Sequence, residues 1–420
     1  MIERISVFQN KNEILTFFIF TLFIFSYTLL IEYQNYKKLT HFDSAIVDAT
    51  VLTQYEKSKN GRTYQVLKLK AKEGYTFYTS AKKSLQNVEE KTLTLELFAS
   101  KKSFYEYLNG FYAFSKLLSI EENRSVKEKL NNWLESQHTN TEVASIYKAL
   151  YTATPLQKQL YGVFSTLGVS HLLAISGFHL GVLSAVLFFL LKYPYKFLQN
   201  RYFPYSHANR DLFLAVASVL LCYLVFLEAP PSLLRAFGML LIGFVLYDRG
   251  YKIISMQTLL LSIVVLIAFF PRLLFSLGFW LSVSGVFYIF LFLIHFKELT
   301  KIKQFILLPL WLYITMLPFS LAIFENFSLL HPLSILWTTL FTLFYPLSIF
   351  MHITGFGSSF DGLLETLLSL GENSHTVLLS YKYLLFHIML SIAAVYKKEF
   401  VYLLVLSSTL VLVYAVYNVA

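Results

Sequence analysis

Polar side chains interrupt one long apolar run of this chain, between residues 167 and 191. The first half of the run holds two histidines, two serines and three glycines: His171, His179, Ser170, Ser176, Gly168, Gly177 and Gly181. A polar group in lipid costs free energy, so an intramembrane histidine is rare and usually faces the bundle interior or a water-filled path. The pattern therefore marks this segment as a candidate functional site.

Three kinds of chemistry fit these residues. Ser176 and His179 are three residues apart, so they could pair as nucleophile and base in an intramembrane hydrolase or transferase, although no acidic residue accompanies them in the segment. His171 and His179 are eight residues apart. On a helix that is roughly 80° around the axis, so we expect no shared metal ion. Gly177 and Gly181 form a GxxxG pair, which is typical of close helix packing.

The whole string is more specific than its parts. His171-Leu-Leu-Ala-Ile-Ser-Gly-Phe-His-Leu-Gly181 resembles, without a gap, the hallmark of the ComEC-type competence channels, bacterial inner-membrane proteins that admit single-stranded DNA. Pro230–Ala236 is similar to a second family segment, Pro-Ser-x-x-Arg-Ala. The segment 270–282 resembles a third, with Phe270 in place of the usual acid and Trp280 in place of the usual glutamine.

The resemblance implies a function and a set of residues that line or gate a channel. These residues are His171, Ser176, Gly177, His179, Gly181, Glu228 and Arg235. For Glu228 and Arg235, an interfacial ion pair is an equally good interpretation. The implied function is translocation of single-stranded DNA across the cytoplasmic membrane during natural transformation, with no cofactor, no metal and no enzymatic activity.

Many relatives carry a metallo-β-lactamase-like domain with a His-x-His-x-Asp-His motif. None of the ten histidines of this chain forms a His-x-His pair. We therefore expect a short form without that domain, in which any nuclease is a separate protein.

Composition places the chain in a membrane. Of its 420 residues, 56% are hydrophobic and only 14% are charged, against about 25% charged in a soluble domain. This favours a polytopic α-helical membrane protein. The net charge of +10 is weak support for a nucleic-acid partner, because basic residues also flank membrane spans on the cytoplasmic side.

The N-terminal part predicts an anchor and a small extracytoplasmic domain. Residues 1–31 contain an uncleaved transmembrane anchor. Residues 32–110 alternate polar and apolar side chains, and Asn60-Gly61 is a hairpin signal. Strands are predicted at Asp43–Tyr55, Arg62–Lys72, Tyr75–Ser80 and Lys91–Phe98. They fit a β-barrel of OB or SH3-like type, and the resemblance favours an OB-like domain.

Basic and aromatic residues are interleaved in this domain, as in OB-folds that hold single strands. The candidate DNA-binding residues are Lys57, Lys59, Arg62, Tyr64, Lys68, Lys70 and Tyr78. The alternative is that the lysines only solvate the outward faces of the strands, since acidic residues partly offset them.

The remaining residues predict surface helices and then a multi-pass channel domain. Residues 111–160 should form amphipathic surface helices, and residues 161–420 should supply nine spans, which with the anchor makes about ten. The predicted spans are 14–31, 162–191, 211–227, 232–247, 253–270, 273–295, 304–324, 333–354, 376–395 and 399–418. Basic loops put residues 32–160 on the extracytoplasmic side. Pro346 should interrupt its span, and a broken or re-entrant pair near the C-terminal end would restore the alternation of sides.

The absence of a nucleotide-binding motif in the sequence predicts a separate motor protein as a partner. There is no Gly-x-x-x-x-Gly-Lys-(Ser/Thr) loop, so a cytoplasmic ATPase or helicase would have to pull the strand. A periplasmic or surface DNA receptor and a homo-oligomer are further expectations, together with the lipid bilayer itself. The other function that stays open is transport of a different polymer or solute, although no internal repeat favours a transporter fold.

Overall fold

The computed structural model describes residue 8 and residues 10–59, 62–121, 126–156, 158–173, 175–202, 204–371 and 375–419, without the side chains of residues 62, 158 and 159. The predicted turn at Asn60-Gly61 lies outside this part of the chain. Two compact units form. The sheet unit comprises Asn10–Asn132 and Val264–Leu277, and the helical unit mainly comprises Trp133–Ile263 and Gly278–Ala420.

The sheet unit contains six strands, in the four places that alternation predicts and at one further place. The strands are β1 (Ala45–Lys59), β2 (Arg62–Ala71), β3 (Thr76–Ala81), β4 (Thr92–Phe98), β5 (Phe111–Tyr112) and β6 (Phe114–Glu121). Side chains that alternate inward, such as Leu93, Leu95 and Leu97, are buried together with Leu69 and Phe77 in one apolar core. This alternation with period two is what makes these residues form strands rather than helices.

Residues 111–121 correct the sequence-based prediction. They were expected to be helical, but they form β5 and β6, separated only by Ala113. β5 pairs in parallel with β3, and β6 pairs antiparallel with β4. The sheet order is β5-β3-β2-β1-β4-β6. The run Leu117-Leu118 is apolar on consecutive residues and hides the strand period, because a register irregularity in the β4–β6 ladder lies beside it.

The first helix, α1 (Lys11–Thr40), is longer than the predicted anchor and almost entirely unburied. Arg272, in a 3₁₀ turn at Pro271–Phe275, connects this helix to another part of the same sheet unit. Its Nη2 donates to Glu32 Oε2 at 2.6 Å and to Tyr107 Oη at 2.9 Å. Tyr107 lies on α2 (Phe104–Asn109), which begins with a capping box between Ser103 and Glu106.

Helices fill most of the remaining chain. The first group is α3 (Val126–Glu135), α4 (Thr141–Thr152), α5 (Lys158–Thr166), α6 (Ser170–Leu173), α7 (Gly177–Tyr202), α8 (Ala208–Phe226), α9 (Pro231–Asp248) and α10 (Met256–Phe269). The second group is α11 (Leu277–His295), α12 (Lys301–Phe324), α13 (Ser334–Ile353), α14 (Asp361–Leu370), α15 (Tyr381–Ala394) and α16 (Lys398–Tyr417). A short ribbon pairs β7 (Asn326–Phe327) with β8 (His375–Thr376).

The helices confirm a polytopic helical protein. Within the described residues, eight helices are long and apolar enough to cross a membrane, and α10 and α15 are apolar but shorter. The number of spans stays a prediction. Pro346 was expected to interrupt its span, but it lies inside α13, which is continuous from Ser334 to Ile353.

The predicted span 162–191 is wrong in one respect. It is not a single helix: α5 ends at Thr166, α6 covers four residues, and α7 begins at Gly177. The glycines and serines within this apolar run thus coincide with two breaks in the helical backbone.

Candidate functional site

The first break turns at Gly168. Its φ is +71°, a conformation that costs free energy for any side chain with a Cβ. Space also requires glycine here, because a Cβ would lie 2.7 Å from Cε1 of His331. Leu167 and Val169 on either side are buried. Gly168 therefore lets the chain reverse direction against an imidazole ring from a distant segment.

Hydroxyl groups from distant parts of the chain satisfy the carbonyls that the breaks leave free. Ser328 Oγ donates to the carbonyl of Thr166 at 3.2 Å. Ser232 Oγ, in the first turn of α9, donates to the carbonyl of Ile175 at 2.7 Å. Irregular backbone at membrane depth is tolerated only where it is buried in protein or lines a cavity. These two bonds show how the broken segment, residues 167–177, is held in place.

Ser176 and His179 do meet, at the start of α7. The backbone N–H of Ser176 donates to Nδ1 of His179 at 3.2 Å, and Ser176 Oγ lies 3.1 Å from the same nitrogen. An acceptor Nδ1 leaves the proton of the neutral imidazole on Nε2. That nitrogen is buried without a hydrogen-bond partner among the described residues. The rings of Phe341 and Tyr345 contact the imidazole at 4.9 Å each.

Arg235 is buried beside the same break. The residue is only 4% exposed, and Gly177 faces it so closely that a Cβ there would lie 2.9 Å from Nη2. Nη1 donates to Sδ of Met239 at 3.2 Å, and Nε has no partner among the described residues. A thioether is a weak acceptor for a guanidinium group. Within the described residues, this buried cation therefore has a weak acceptor at Nη1 and none at Nε, whereas most buried charges are paired.

His331 completes the group, and the sequence analysis did not include it among the site residues. Its Nδ1 lies 3.2 Å from Oη of Tyr313, and its Nε2 is buried with no partner in the described part of the chain. We call Ser176, Gly177, His179, Arg235 and His331, together with Gly168, the hallmark cleft; the name denotes these contacts around the broken segment and not a cavity. A histidine in an apolar stretch was the available signal for His331, but nothing in its own neighbourhood predicted contact with residue 168.

Of the other predicted channel residues, His171 shares the surroundings of this group. Its ring interacts with the backbone of Gly168 and electrostatically with His179 and His331, and its Nε2 lies 3.3 Å from Oγ1 of Thr338. A Cβ on Gly181 would meet nothing within 4 Å, so only Gly177 of the GxxxG pair is in close packing. Glu228 is exposed in the loop before α9, with a left-handed φ of 59°.

A second candidate site is a groove on the sheet. Its volume is about 770 Å³, and its lining is basic and aromatic: Tyr55, Lys57, Lys59, Tyr64, Val66, Tyr78, Ser80, Ala81, Lys82 and Tyr112. Strand register explains this face, because Tyr55 pairs with Val66 and Lys57 pairs with Tyr64. Burial raises the pKa of Tyr55, so its ring stays neutral.

Four of the seven predicted DNA-binding residues line this groove: Lys57, Lys59, Tyr64 and Tyr78. Lys68 Nζ lies over the Tyr78 ring, 5.7 Å from its centroid. Lys70 is half-buried on β2 and is not in the lining, and the side chain of Arg62 lies outside the described atoms. Tyr112 was missed because residues 111–121 were expected to be helical.

Comparison with known proteins decides the family. A family model described as "Competence protein" matches residues 153–419. The chain belongs to the competence protein family. ComE operon protein 3 of Bacillus subtilis (strain 168) is similar, with 29% identity over 197 residues, which is 44% of this chain and 23% of that protein. The chain thus aligns with under a quarter of the length of this relative. No solved structure matches the chain.

The family match covers the hallmark cleft but not the sheet groove. All cleft residues, from Gly168 to His331, lie within the matched range, whereas β1 to β6 precede it. The resemblance read from residues 171–181 is confirmed by this match. The proposed role of the groove is therefore supported by the geometry of the groove alone and not by the family match.

Proposed function

We propose that this competence protein passes single-stranded DNA across the bacterial cytoplasmic membrane during natural transformation. Family membership supports a role in competence. The observation that carries the finer proposal is Arg235, a buried guanidinium that donates from Nη1 to a thioether, has no partner for Nε among the described residues and lies against the backbone break at Gly177. An intramembrane cation of this kind is a functional group rather than a structural one.

The cleft matches the chemistry of a phosphodiester backbone. A guanidinium group presents several donors in a fixed plane and binds phosphate oxygens through charge-assisted hydrogen bonds. Among the described residues, the Nε2–H of His179 is a further donor without a partner, and Nε2 of His331 is a further nitrogen without one. Contacts to phosphate oxygens carry no sequence information, so a site that binds the backbone would accept any sequence, as a transformation channel must.

The sheet groove is the proposed entry site. Lysines there would neutralise phosphates, and the tyrosine rings would stack on bases, which is how OB-folds hold single strands without sequence preference. We also propose that the sheet closes into an OB-like barrel. The run 111–121 supports this closure, because its two parts pair with β3 and β4, which are otherwise on opposite sides of the sheet order.

Orientation and partners complete the proposal. Residues 32–160 would face outside the cytoplasm and receive the strand from a periplasmic or surface receptor. A cytoplasmic ATPase or helicase would pull the strand inward, and a homo-oligomer could share the path. No soluble nuclease or metal centre is part of this proposal.

The test is uptake of labelled DNA by cells that carry Arg235→Lys. Lysine keeps the charge but cannot form the planar, multi-donor contact, so we expect internalised label to fall by about tenfold, in line with loss of a phosphate contact of roughly 1.4 kcal/mol. The matched control is Arg249→Lys, at the exposed end of α9. Equal loss in both variants, or no loss in either at wild-type protein level, would contradict the role of Arg235.

A second function, an intramembrane hydrolase, is favoured by the hydrogen bond between Ser176 and His179. The same serine oxygen accepts the N–H of Phe178 at 3.2 Å, which is the geometry of a helix N-cap. The other nitrogen of the histidine has no carboxylate to orient it within the described residues. Ser176→Thr would separate the two functions: the hydroxyl of threonine still caps the helix and supports uptake, but a β-branched nucleophile would turn over substrate poorly.

A further inference from the structure

Three titratable side chains stand in line away from the hallmark cleft. Nδ1 of His138 lies 2.9 Å and 3.0 Å from the two carboxylate oxygens of Asp361. Nε2 of His138 lies 3.0 Å from Nε2 of His352. The side chain of His138 is fully buried, that of Asp361 is 14% exposed, and His352 is 2% exposed. We call these residues the Asp–His–His triad.

The hydrogen bond at the outer end of the triad fixes the position of one proton. Nδ1 of His352 lies 2.7 Å from the carbonyl oxygen of Ser348. A carbonyl oxygen only accepts, so this nitrogen must carry a hydrogen. If His352 is neutral, its Nε2 is then an acceptor. The 3.0 Å contact between the two histidines in that case needs a hydrogen on Nε2 of His138.

The contact with Asp361, at the inner end of the triad, fixes the number of protons that the triad holds. With a hydrogen on Nε2, His138 is either an imidazolium that donates to an Asp361 carboxylate, or a neutral ring that accepts from a protonated Asp361. The third arrangement puts the charge on His352, with His138 as acceptor at Nε2. In all three arrangements the triad holds one proton more than a carboxylate with two neutral imidazoles, and its net charge is zero.

Loss of that proton cannot be accommodated at these distances. Two lone pairs would face each other between the histidines, or a carboxylate would face a bare ring nitrogen. A buried donor or acceptor that loses its partner costs free energy. One of the three contacts must therefore open when the proton leaves.

We propose that the Asp–His–His triad is a proton-binding site, and that the bound proton fastens the segment Trp133–Thr152 to α13 and α14. Asp361 begins α14 and His352 is next to the last residue of α13, whereas His138 precedes α4. Gln137 strengthens the same junction: its Nε2 donates to the carbonyl of His352 at 3.4 Å, and its Oε1 accepts from the N–H of Gly357 at 3.2 Å.

The fastened segment supports the hallmark cleft. The Tyr147 ring on α4 stacks on His138 with centroids 4.6 Å apart. Ile146 and Leu150 of the same helix belong to one apolar cluster with Leu172 and Leu173 of α6. The same cluster includes Tyr345 of α13, whose ring contacts His179. Proton occupancy therefore sets how firmly the broken segment is packed.

The charged and titratable groups that face the triad are few. Tyr147 and Tyr151 face it from α4, Ser348 and Tyr345 flank it on α13, and Trp133 lies 6.4 Å from the His352 ring. Glu365 on α14 is engaged by Asn140, and the pair Lys148–Glu135 lies at the surface. Within the described residues no further carboxylate or basic side chain lies within hydrogen-bond distance of the three groups, so we expect a one-proton transition.

Hydrogen exchange of the full chain in lipid nanodiscs tests the proposal, over about pH 5 to 9, where imidazoles titrate. Below the transition the proton is bound and peptides from residues 141–152 should be protected. Above it, after correction for intrinsic exchange, they should exchange about tenfold faster, the factor for loss of one charge-assisted hydrogen bond. Peptides of α16 should not change. A flat profile for 141–152 would overturn the proposal without any variant.

Two variants on the same helix sharpen the test. Asp361→Asn still accepts from His138 but cannot balance the extra proton, so the pH transition should disappear and the peptide should exchange fast at every pH. Glu365→Gln, one turn further along α14 and exposed, should keep the transition. Selective ¹⁵N labelling of histidine reports the protonation of the imidazole rings directly, independently of the stability of the fold. Wild type should show one titrating proton shared by two rings, and two rings that titrate independently would refute the triad.

Discussion

Two clusters of buried polar side chains in the helical unit differ in how many of their nitrogen atoms have hydrogen-bond partners. In the Asp–His–His triad, both nitrogens of His138 and both nitrogens of His352 have partners within 3.0 Å. In the hallmark cleft, Nε2 of His179, Nε of Arg235 and Nε2 of His331 have none among the described residues. A network with every member paired fixes a structure, whereas unpaired buried polar atoms call for an explanation, of which contact with a ligand is one. The first group therefore holds the fold, and the second is where our proposal puts the transported strand.

The largest expected effect comes from breaking the satisfied group. His138→Phe keeps the ring stacked on Tyr147, but it leaves the Asp361 carboxylate and one nitrogen of His352 without their hydrogen-bond partner. We expect the free energy of unfolding to fall by about 3 kcal/mol, because removal of one partner of a buried pair leaves an uncompensated charge. Denaturant unfolding in mixed micelles measures it. Glu365→Gln should change stability by less than about 0.5 kcal/mol, and a similar loss in both would remove the distinction.

A smaller effect is expected where the cleft depends on backbone shape. Gly168→Ala puts a side chain on a left-handed φ and against His331, and should cost about 1–2 kcal/mol. Gly181→Ala meets nothing within 4 Å and lies in a helix, so it should be neutral or stabilising by up to about 1 kcal/mol. Thermal unfolding of the two purified variants gives the comparison. Equal melting temperatures would show that the turn at residue 168 is not strained by a side chain.

The smallest change in stability, and the one of opposite sign, is expected at Arg235. Arg235→Met removes a poorly compensated buried cation and keeps most of its apolar length. Stability should rise by about 1 kcal/mol, since apolar replacement of buried charge is often stabilising, while DNA uptake should be lost. The control is Arg249→Met at the exposed end of α9. A variant at residue 235 that lost stability would mean that Arg235 belongs with the satisfied group.

The sheet groove offers an independent comparison with the cleft. Tyr64→Ala should weaken binding of a short single strand by about 1–3 kcal/mol through loss of stacking. Tyr105→Ala, an exposed aromatic on α2 outside the groove, should leave affinity unchanged. Fluorescence anisotropy with labelled oligonucleotide measures both, at a stated salt concentration because phosphate contacts are salt-dependent. Equal affinities would remove the groove from the path.

Local sequence patterns predicted most of the helices and strands. The elements and breaks that they missed depend on contacts with distant parts of the chain. Alternation along residues 43–98 predicted four strands, and apolar runs predicted the helices. The hallmark string predicted the family. The breaks at Gly168 and before Gly177 were missed, because an apolar run with glycine and serine has the same appearance whether its helix is continuous or broken.

The contacts that define both buried groups could not be derived from local sequence. His331 reaches Gly168 from a segment more than a hundred residues later in the chain, and His138 meets Asp361 across 223 positions. In β6, consecutive apolar residues hid a strand whose identity depends on pairing with β4. Periodicity reports which face of an element is buried, but not which distant side chain covers it.

The most direct test of the central proposal is crosslinking of a strand in transit. A photoreactive amino acid replaces Phe178, an exposed neighbour of His179, or Tyr402, an exposed residue of α16. The DNA carries a bulky end group that arrests it during uptake. A strand that passes the hallmark cleft will crosslink at position 178 and not at position 402. Crosslinking at position 64 in the sheet groove with none at position 178 would contradict the proposal, because the strand would then bind outside without reaching the cleft.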